Sequence, residues 1–455
     1  MKVHFVGIGG IGVSALARYY LAQGHEVSGS DLVSSEITEA IKKLGAKIYI
    51  GPHKAECLKW KFKQPELVIY SPAVQVNNPE LKEAKKLRIK CQSYPEALGE
   101  LTKKHFTIAI SGTHGKSTTT AMIALILIKA GLNPTVIIGT KLKEFGDSNF
   151  RMGGYPNTKY QMLDTRYLVI EADEYKASFL NYWPKILVLT NIEPDHLDFY
   201  KNFKNYILAF KKFISHLPKD GVLVTNQDEP TICNTTFSTI VKNVVYYSLK
   251  DEESKKIKKI LKVPGEHNIY NALTALTVAR ALKVPDKISF KALSEYKGAW
   301  RRFEITKVLH PKPYTLISDY GHHPTKVRVT LKAAREKYPK KEIWCIYQPH
   351  QYQRTYYLFD DFVKVFKQAP VDKLIITDIY DVAGRESAEI KKKIGSEKLI
   401  KAIKKPWAIY LPKEKIVEYL KKNLKGGEVV IIMGAGDIYN LTICLTQEER
   451  RKRIK

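Results

Sequence analysis

The sequence predicts an α/β protein of three consecutive units. Three observations carry that reading: the length of the chain, short apolar runs that alternate with helical patterns, and glycine turns placed directly after two of those runs. With 455 residues the chain is too long for one ordinary core and suits roughly three domains. Hydrophobic residues make up 44% and charged residues 27%, an ordinary balance for a globular protein.

The first unit, 1–104, has β-rich runs at 2–6 (KVHFV), 26–28 and 67–70 (LVIY), with helical patterns over 11–23 and 79–88. Strands joined by helical crossovers make a doubly wound parallel sheet. The second unit, 105–299, opens on the apolar run 106–110, turns through glycine and enters a helical pattern over 118–130. Further strands are expected at 167–171 and 186–190 and a helix at 268–281, whereas 146–164, rich in Gly, Asn and Pro, reads as a surface loop. The third unit, 300–455, carries strand runs at 315–318, 343–347, 374–377, 408–411 and 429–433.

Composition excludes several classes. No apolar run approaches the length of about 20 residues that spans a bilayer, and the amino terminus is a strand running into a glycine loop, unlike a signal peptide. The five cysteines are scattered and form no C-x-x-C pair, which predicts reduced thiols and a cytoplasmic chain. The net charge of +29 is spread along the sequence, with no basic run interleaved with aromatics on a nucleic-acid reader motif. Its one dense cluster, Arg450-Arg451-Lys452-Arg453, reads as a solvated terminus. No nucleic-acid partner is expected, and the positive field serves at most to attract an anionic nucleotide.

The strongest local signal is Ser111-Gly112-Thr113-His114-Gly115-Lys116-Ser117, after an apolar strand and before a helix. Backbone N–H groups in such a turn point at phosphate oxygens, and the helix amino terminus adds favourable partial charge. Lys116 is expected to reach the β- and γ-phosphates and Ser117 to sit on Mg²⁺. The loop departs from G-x-x-x-x-G-K-[ST], because Ile110 stands where the first glycine belongs. It is expected to be a surface turn.

Two acidic clusters follow strand runs: Glu171-Ala172-Asp173-Glu174 after LVI, and Asn191-Ile192-Glu193-Pro194-Asp195-His196 after LVLT. Loops after the carboxyl ends of parallel strands converge on the ligand crevice. Carboxylates delivered there suit Mg²⁺, a hard cation that prefers oxygen, so Glu171 and His196 are candidate metal or phosphate residues. Near the amino terminus, Gly7-Ile8-Gly9-Gly10-Ile11-Gly12 fits G-x-G-x-x-G, with Asp31 some way on. Alone, that loop suits the diphosphate of either NAD or UDP; the phosphate loop in the next unit favours UDP over a dehydrogenase.

At this point the residues match a family. SGTHGKS, EADE, TNIEPDHLD, GEHNIYNA, WRRFE, SDYGHHPT and QPHQYQRT occur in the order found in the Mur ligases, and the chain resembles that family from residue 3 to Gly436. HFVGIGGIGVSALA and the pair DYGHHPT with QPHQYQRT are similar to its alanine-adding branch. A branch that attaches a preformed tripeptide to the same nucleotide sugar lacks the QPHQYQRT-like run.

The resemblance implies a Rossmann-like domain (1–104) for UDP-N-acetylmuramic acid, a central P-loop ATPase domain (105–299), and a Rossmann-like domain (300–455) that closes over ATP and binds the amino acid. It implies ATP and Mg²⁺ as cofactors, L-alanine as the second substrate, and peptidoglycan precursor synthesis as the setting. The muramyl carboxylate would attack the γ-phosphate to give an acyl phosphate, which the amine of L-alanine then opens. Carried over, the ATP set is Gly112, Thr113, His114, Gly115, Lys116, Ser117, Thr118, Asn268, Asn271, Arg302 and Asp319, with Lys116, His196 and Arg302 in catalysis. Ser117, Glu171 and His196 fall to the metal. Gly7, Gly9, Gly10, Gly12, Asp31 and Ser71 fall to the UDP-sugar, and Tyr320, His322, His350 and Arg354 to the amino-acid end.

Three positions depart from or qualify the pattern. The family usually has arginine where Gln351 stands and serine where Tyr175 stands. Several relatives carry a carbamylated lysine where this chain has Phe210, as expected of the alanine-adding branch. Arg301 reads as structural beside Arg302, and His323 before Pro324 reads equally as a substrate contact or as a loop-structuring residue.

Overall fold

The computed structural model describes all residues except 60–63, 155–165, 236, 310–311, 383–387 and 454–455. The described strands form three sheets, one after another along the chain. The first holds β1 (Lys2–Val6), β2 (Glu26–Asp31), β3 (Lys47–Ile50), β4 (Leu67–Tyr70) and β5 (Lys90–Ser93). Their order is β3-β2-β1-β4-β5, every pair parallel. Strands covered on both faces read as near-continuous apolar runs, which is why β1 and β4 are so apolar.

One polar residue interrupts β1. His4 is 1% exposed, with Nδ1 at 2.9 Å from Ser28 Oγ and Nε2 at 2.7 Å from a carboxylate oxygen of fully buried Glu80. The other Glu80 oxygen accepts from Ser30 Oγ at 2.7 Å and lies 2.6 Å from His53 Nδ1. Burial pushes the Glu80 carboxyl up, but hydrogen bonds from His4, His53 and Ser30 hold it down at about 2. After β5 the chain enters the helix Tyr94–Lys104 through a capping box in which Ser93 and Glu96 satisfy each other's backbone N–H groups.

The second sheet holds β6 (Phe106–Ser111), β7 (Thr135–Leu142), β8 (Ser148–Arg151), β9 (Tyr167–Glu171), β10 (Ile186–Leu189), β11 (Val222–Asn226) and β12 (Val244–Tyr247). The order is β12-β11-β10-β6-β9-β7-β8, and only β7 and β8 run antiparallel. β8 corrects the reading of 146–164 as a loop; the part at 155–164 lies outside the described residues. The strand forms because Phe150 and Asn149 are both buried. Asn149 Nδ2 donates to Ser14 Oγ at 2.8 Å and to Ile11 O, on the helix Ile11–Ala22 after the first glycine loop.

The third sheet holds β13 (Glu304–Val308), β14 (Tyr314–Asp319), β15 (Ile343–Tyr347), β16 (Lys373–Ile376), β17 (Ala408–Tyr410) and β18 (Val429–Met433), in the order β13-β14-β18-β15-β16-β17. It is parallel apart from β13. Alternate residues of its central strands feed two cores: Ile317, Cys345 and Ile431 on one face, Leu316, Ile346 and Ile432 on the other.

Met1–Glu193, Asn202–Ile260 and Tyr270–Tyr296 make one compact unit, which contains the first two sheets. Pro194–Lys201, Leu261–Ile269 and Lys297–Lys455 make the other, around the third. All five cysteines are free thiols. Among the described residues no helix is long and apolar enough to cross a membrane.

Candidate active site

In the compact unit that contains the first two sheets, the phosphate loop joins β6 to the helix Lys116–Lys129. Gly115, the residue before that helix, has φ +84°, and a Cβ there would meet Asn271 Oδ1 at 2.5 Å, so only glycine fits. The turn is held from the end of β10. Thr113 N donates to Asn191 O at 3.0 Å and His114 N to Asn191 Oδ1 at 2.9 Å. Thr190 Oγ1 donates to His114 O at 2.7 Å, and His114 Nε2 lies 3.3 Å from Glu193 Oε2. Thr118 lies within the first turn of the helix, buried.

Lys116 Nζ is held by Gly112 O at 2.7 Å and by both oxygens of Glu174, at 2.8 and 3.1 Å. Burial works against the lysine's charge, but Glu174, Asp173 and Glu171 together hold its ammonium above the ordinary lysine range. Ser117 Oγ donates to Glu171 Oε2 at 3.1 Å, and the other Glu171 oxygen accepts from Gly139 N at 2.6 Å. Ser117 and Glu171, assigned to one metal from sequence, are thus neighbours. A hydroxyl and a carboxylate side by side at a phosphate loop form an all-oxygen donor set of the kind that suits Mg²⁺.

The same unit carries the first glycine loop. Gly7 N and Ile8 N both donate to Ser30 O, at 2.9 and 3.0 Å, and Gly9 N donates to Asp31 Oδ2 at 2.7 Å. Asp31 therefore fixes the loop itself. Gly10 caps the helix Ile11–Ala22 with no side-chain bond of its own. Ser71, just after β4, packs its Cβ 3.1 Å from where a Gly7 Cβ would stand.

The compact unit around the third sheet gathers most of the remaining candidates into two groups. Asp319, at the end of β14, accepts from Phe303 N at 2.9 Å and Gly321 N at 2.7 Å, and burial raises its carboxyl against the pull of Arg302. Arg302 lies over the Tyr320 ring at 4.7 Å. Arg301 is buried among the rings of Trp300, Tyr320 and Tyr439 and donates to Gly434 O, a structural arginine as its position beside Arg302 suggests. Asn268 donates to Pro264 O at 2.6 Å, whereas Asn271 belongs to the phosphate loop, where Thr119 Oγ1 donates to it at 3.1 Å.

The other group surrounds a buried ion pair. Arg354 Nε and Nη2 donate to Asp195 Oδ1 at 3.2 and 3.1 Å, and Nη1 lies 3.3 Å from His350 Nδ1. Burial pushes the Asp195 carboxyl up, but Arg354 and the imidazoles of His196, His323 and His322 hold it well below the carboxylate range. His350 stacks on Tyr380 with ring centroids 5.5 Å apart, and His322 lies 5.6 Å from His350. Burial, then the charges of Lys326 and Arg354, keep His322 well below the usual histidine range. His323 accepts from Thr325 N at 3.3 Å as the cap of the helix Pro324–Lys337, its loop-structuring reading. Asp195, His196, Gln351 and Arg354 line one open cleft.

Several members of these groups went unassigned from sequence: Glu174, Asn191, Gly139, Asp195 and Tyr380. Glu174 and Asp195 lie in the acidic clusters, so their motifs marked the neighbourhood but not their partners. Gly139 carried no signal, because its role belongs to its backbone N–H.

A phosphate loop at the carboxyl edge of a parallel sheet, in one unit with a second glycine loop, defines a nucleotide-binding α/β enzyme. The Mur ligase family's catalytic domain matches residues 2–106, its middle domain residues 110–279 and its glutamate ligase domain residues 301–436. The chain belongs to the Mur ligase family. It is 42% identical to the UDP-N-acetylmuramate–L-alanine ligase of Acetivibrio thermocellus, over 96% of this chain and 94% of that protein. Its identity to the enzyme of the same name from Aquifex aeolicus is 39%, over 96% and 95%. The crystal structure of UDP-N-acetylmuramate-alanine ligase from Thermotoga maritima superposes with a TM-score of 0.78 at 29% identity, covering 100% of both chains. A murein peptide ligase from Psychrobacter arcticus shares the fold, with a TM-score of 0.73 at 23% identity and 98% of each chain covered.

Proposed function

We infer that the protein is an ATP-dependent ligase that joins L-alanine to the carboxylate of UDP-N-acetylmuramic acid in peptidoglycan precursor synthesis. The observation that carries the reading is the near-full-length identity to ligases of that name, about 40% in two organisms, on a chain whose phosphate loop adjoins a carboxylate. The reaction places the chain in the cytoplasm, where ATP and nucleotide sugars are made.

In this reading residues 1–104 bind the nucleotide sugar, with its diphosphate on Gly7, Gly9, Gly10 and Gly12. Residues 105–299 hold ATP on the loop Gly112–Ser117, with Asn268 and Asn271 near the nucleotide. Residues 300–455 supply Arg302 and Asp319 to ATP, and Tyr320, His322, His350 and Arg354 to the amino-acid end. Ser117, Glu171 and His196 would hold Mg²⁺, which when bound would supply charge neutralisation on the phosphate oxygens.

The muramyl carboxylate oxygen attacks the γ-phosphorus and ADP leaves, giving an acyl phosphate. Lys116 and Arg302 stabilise the charge that accumulates on the transferring group. The amine of L-alanine then attacks the acyl carbon, loses a proton and expels phosphate, forming the amide. Excluding water matters at this stage, since hydrolysis of the acyl phosphate would waste the ATP.

The test is the mass of the product. Incubation with UDP-N-acetylmuramic acid, ATP, Mg²⁺ and L-alanine is expected to yield one alanine adduct per ADP released. ADP release that needs neither the sugar nor the amino acid would overturn the assignment.

A further inference from the structure

Tyr94 is the first residue of the helix that follows β5, and its phenol reaches the first glycine loop. A Cβ placed on Gly12 would stand 2.8 Å from Tyr94 Cζ and 3.0 Å from its hydroxyl oxygen, so glycine at that position lets the phenol lie against the loop. The negative charges of Glu171 and Asp173, at the end of β9, bear on the same phenol. Glu171 is the carboxylate bonded to Ser117 in the phosphate loop. One hydroxyl therefore lies against the loop read as holding UDP and in the field of the acidic edge read as holding the metal. Among the described residues, no hydrogen bond to it is formed.

A group in that place has a defined chemical task. The nucleotide sugar starts at the glycine loop, and its reacting carboxylate must end at the γ-phosphate, beside Ser117 and Glu171. The path passes carboxylates that repel an anion. Burial, then Glu171 and Asp173, push the Tyr94 phenol well above the usual tyrosine range, so it stays a neutral donor across physiological pH. A neutral hydroxyl can orient a carboxylate by a charge-assisted hydrogen bond without drawing off the electron pair that must attack phosphorus.

We propose that Tyr94 donates a hydrogen bond to the lactyl carboxylate of the nucleotide sugar and so positions it for attack on the γ-phosphate. The proposal rests on the assignment of UDP-N-acetylmuramic acid as substrate. It separates one half of that molecule from the other, because UDP-N-acetylglucosamine presents the same diphosphate and lacks the lactyl carboxylate.

Titration calorimetry of the full chain and of Tyr94→Phe with each nucleotide sugar tests it. The phenylalanine ring keeps the packing against Gly12, and an unchanged unfolding transition verifies that. A hydrogen bond to a charged group is worth enough to weaken UDP-N-acetylmuramic acid by about 10- to 100-fold, with UDP-N-acetylglucosamine changed less than about twofold. The Michaelis constant for the muramyl substrate is expected to rise while that for ATP holds. Equal weakening of both ligands would make Tyr94 a prop for the loop, and no weakening of either would leave it without a role; each result overturns the proposal. Failure of the unaltered protein to bind UDP-N-acetylmuramic acid would instead overturn the substrate assignment.

Discussion

Lys116 places its ammonium 2.8 Å from the carboxylate of Glu174, a residue only 1% exposed. The loop was expected to be a surface turn, from which the lysine could be removed without harm to the fold. The structure makes Lys116 the counter-ion of a buried acid, so its substitution has two consequences. Turnover of Lys116→Ala should fall by about 10²-fold or more, the usual loss when one contact to developing charge is removed. Stability should fall as well, by about 3–5 kcal/mol for a buried charge that loses its counter-ion. Adding Glu174→Gln should restore most of the stability and none of the turnover. Urea unfolding and an ADP-release assay on the three variants separate the two effects.

Gly9 has a different dependence. Its N–H donates to Asp31, and a Cβ there would stand 2.9 Å from the carboxylate and 3.0 Å from Thr38 Cγ2. Gly9→Val should therefore distort the loop and weaken the nucleotide sugar by at least about tenfold, leaving ATP binding intact. Titration with each nucleotide checks the prediction, and equal loss for both would place the damage in the fold.

Arg354 and Asp195 form the second buried pair, 5% and 6% exposed. Asp195→Ala should destabilise by about 3–5 kcal/mol, because it strands a buried guanidinium. Arg354→Ala strands the Asp195 carboxylate and should cost a similar stability; in the protein that remains folded it should raise the Michaelis constant for L-alanine far more than that for ATP, since it removes a partner for a carboxylate and not for a phosphate. Steady-state kinetics in both substrates decide between this and a general loss of activity.

The Glu80 cluster makes the stability of the first sheet depend on pH from both sides. Glu80 falls from an ordinary 4.5 to about 2 in the fold. Its contribution, about 3 kcal/mol at most, is present above pH 4.5 and is lost as pH falls toward 2. The hydrogen bond to Glu80 raises the His53 imidazole, against the opposing effect of burial. Its contribution is full below the ordinary value of 6.5 and is lost as pH rises through the raised one. Unfolding free energy should therefore form a plateau between these limits, and His53→Gln should remove the alkaline decline and, by deleting one of the bonds that hold Glu80 down, shrink the acid one. Urea titrations across pH on the two proteins test the shape.

Much of this architecture was legible because parallel strands covered on both faces must be apolar throughout. β6, β9, β10 and β18 stand out as runs of Ile, Val and Leu. Several edge strands did not stand out: KCQS in β5 and EITKV in β13 are partly exposed and polar, and SNFR in β8 gains its place from Asn149 and Phe150 packing inward. The same division holds in the site. Lys116, Ser117 and Glu171 are marked by spacing, because phosphate chemistry fixes which residue types follow the strand. Glu174, Asp195 and Tyr94 acquire their partners only when separate segments meet, and no local pattern records that meeting.

Gln351 stands where the resemblance to the family implies an arginine, at the cleft that bears on the choice of amino acid. Gln351 has φ +73° at the start of the helix Tyr352–Tyr357 and lines the cleft with Arg354. A pocket for a methyl side chain discriminates weakly, about 1–3 kcal/mol per methylene, so glycine and L-serine should be poor but detectable substrates. The direct measurement is a side-by-side rate of ADP release with L-alanine, glycine, L-serine and an L-alanyl tripeptide at equal concentration, with UDP-N-acetylmuramic acid, ATP and Mg²⁺ fixed. L-Alanine is predicted to be fastest, with the tripeptide unused. Faster ligation of the tripeptide or of a larger amino acid would contradict the account.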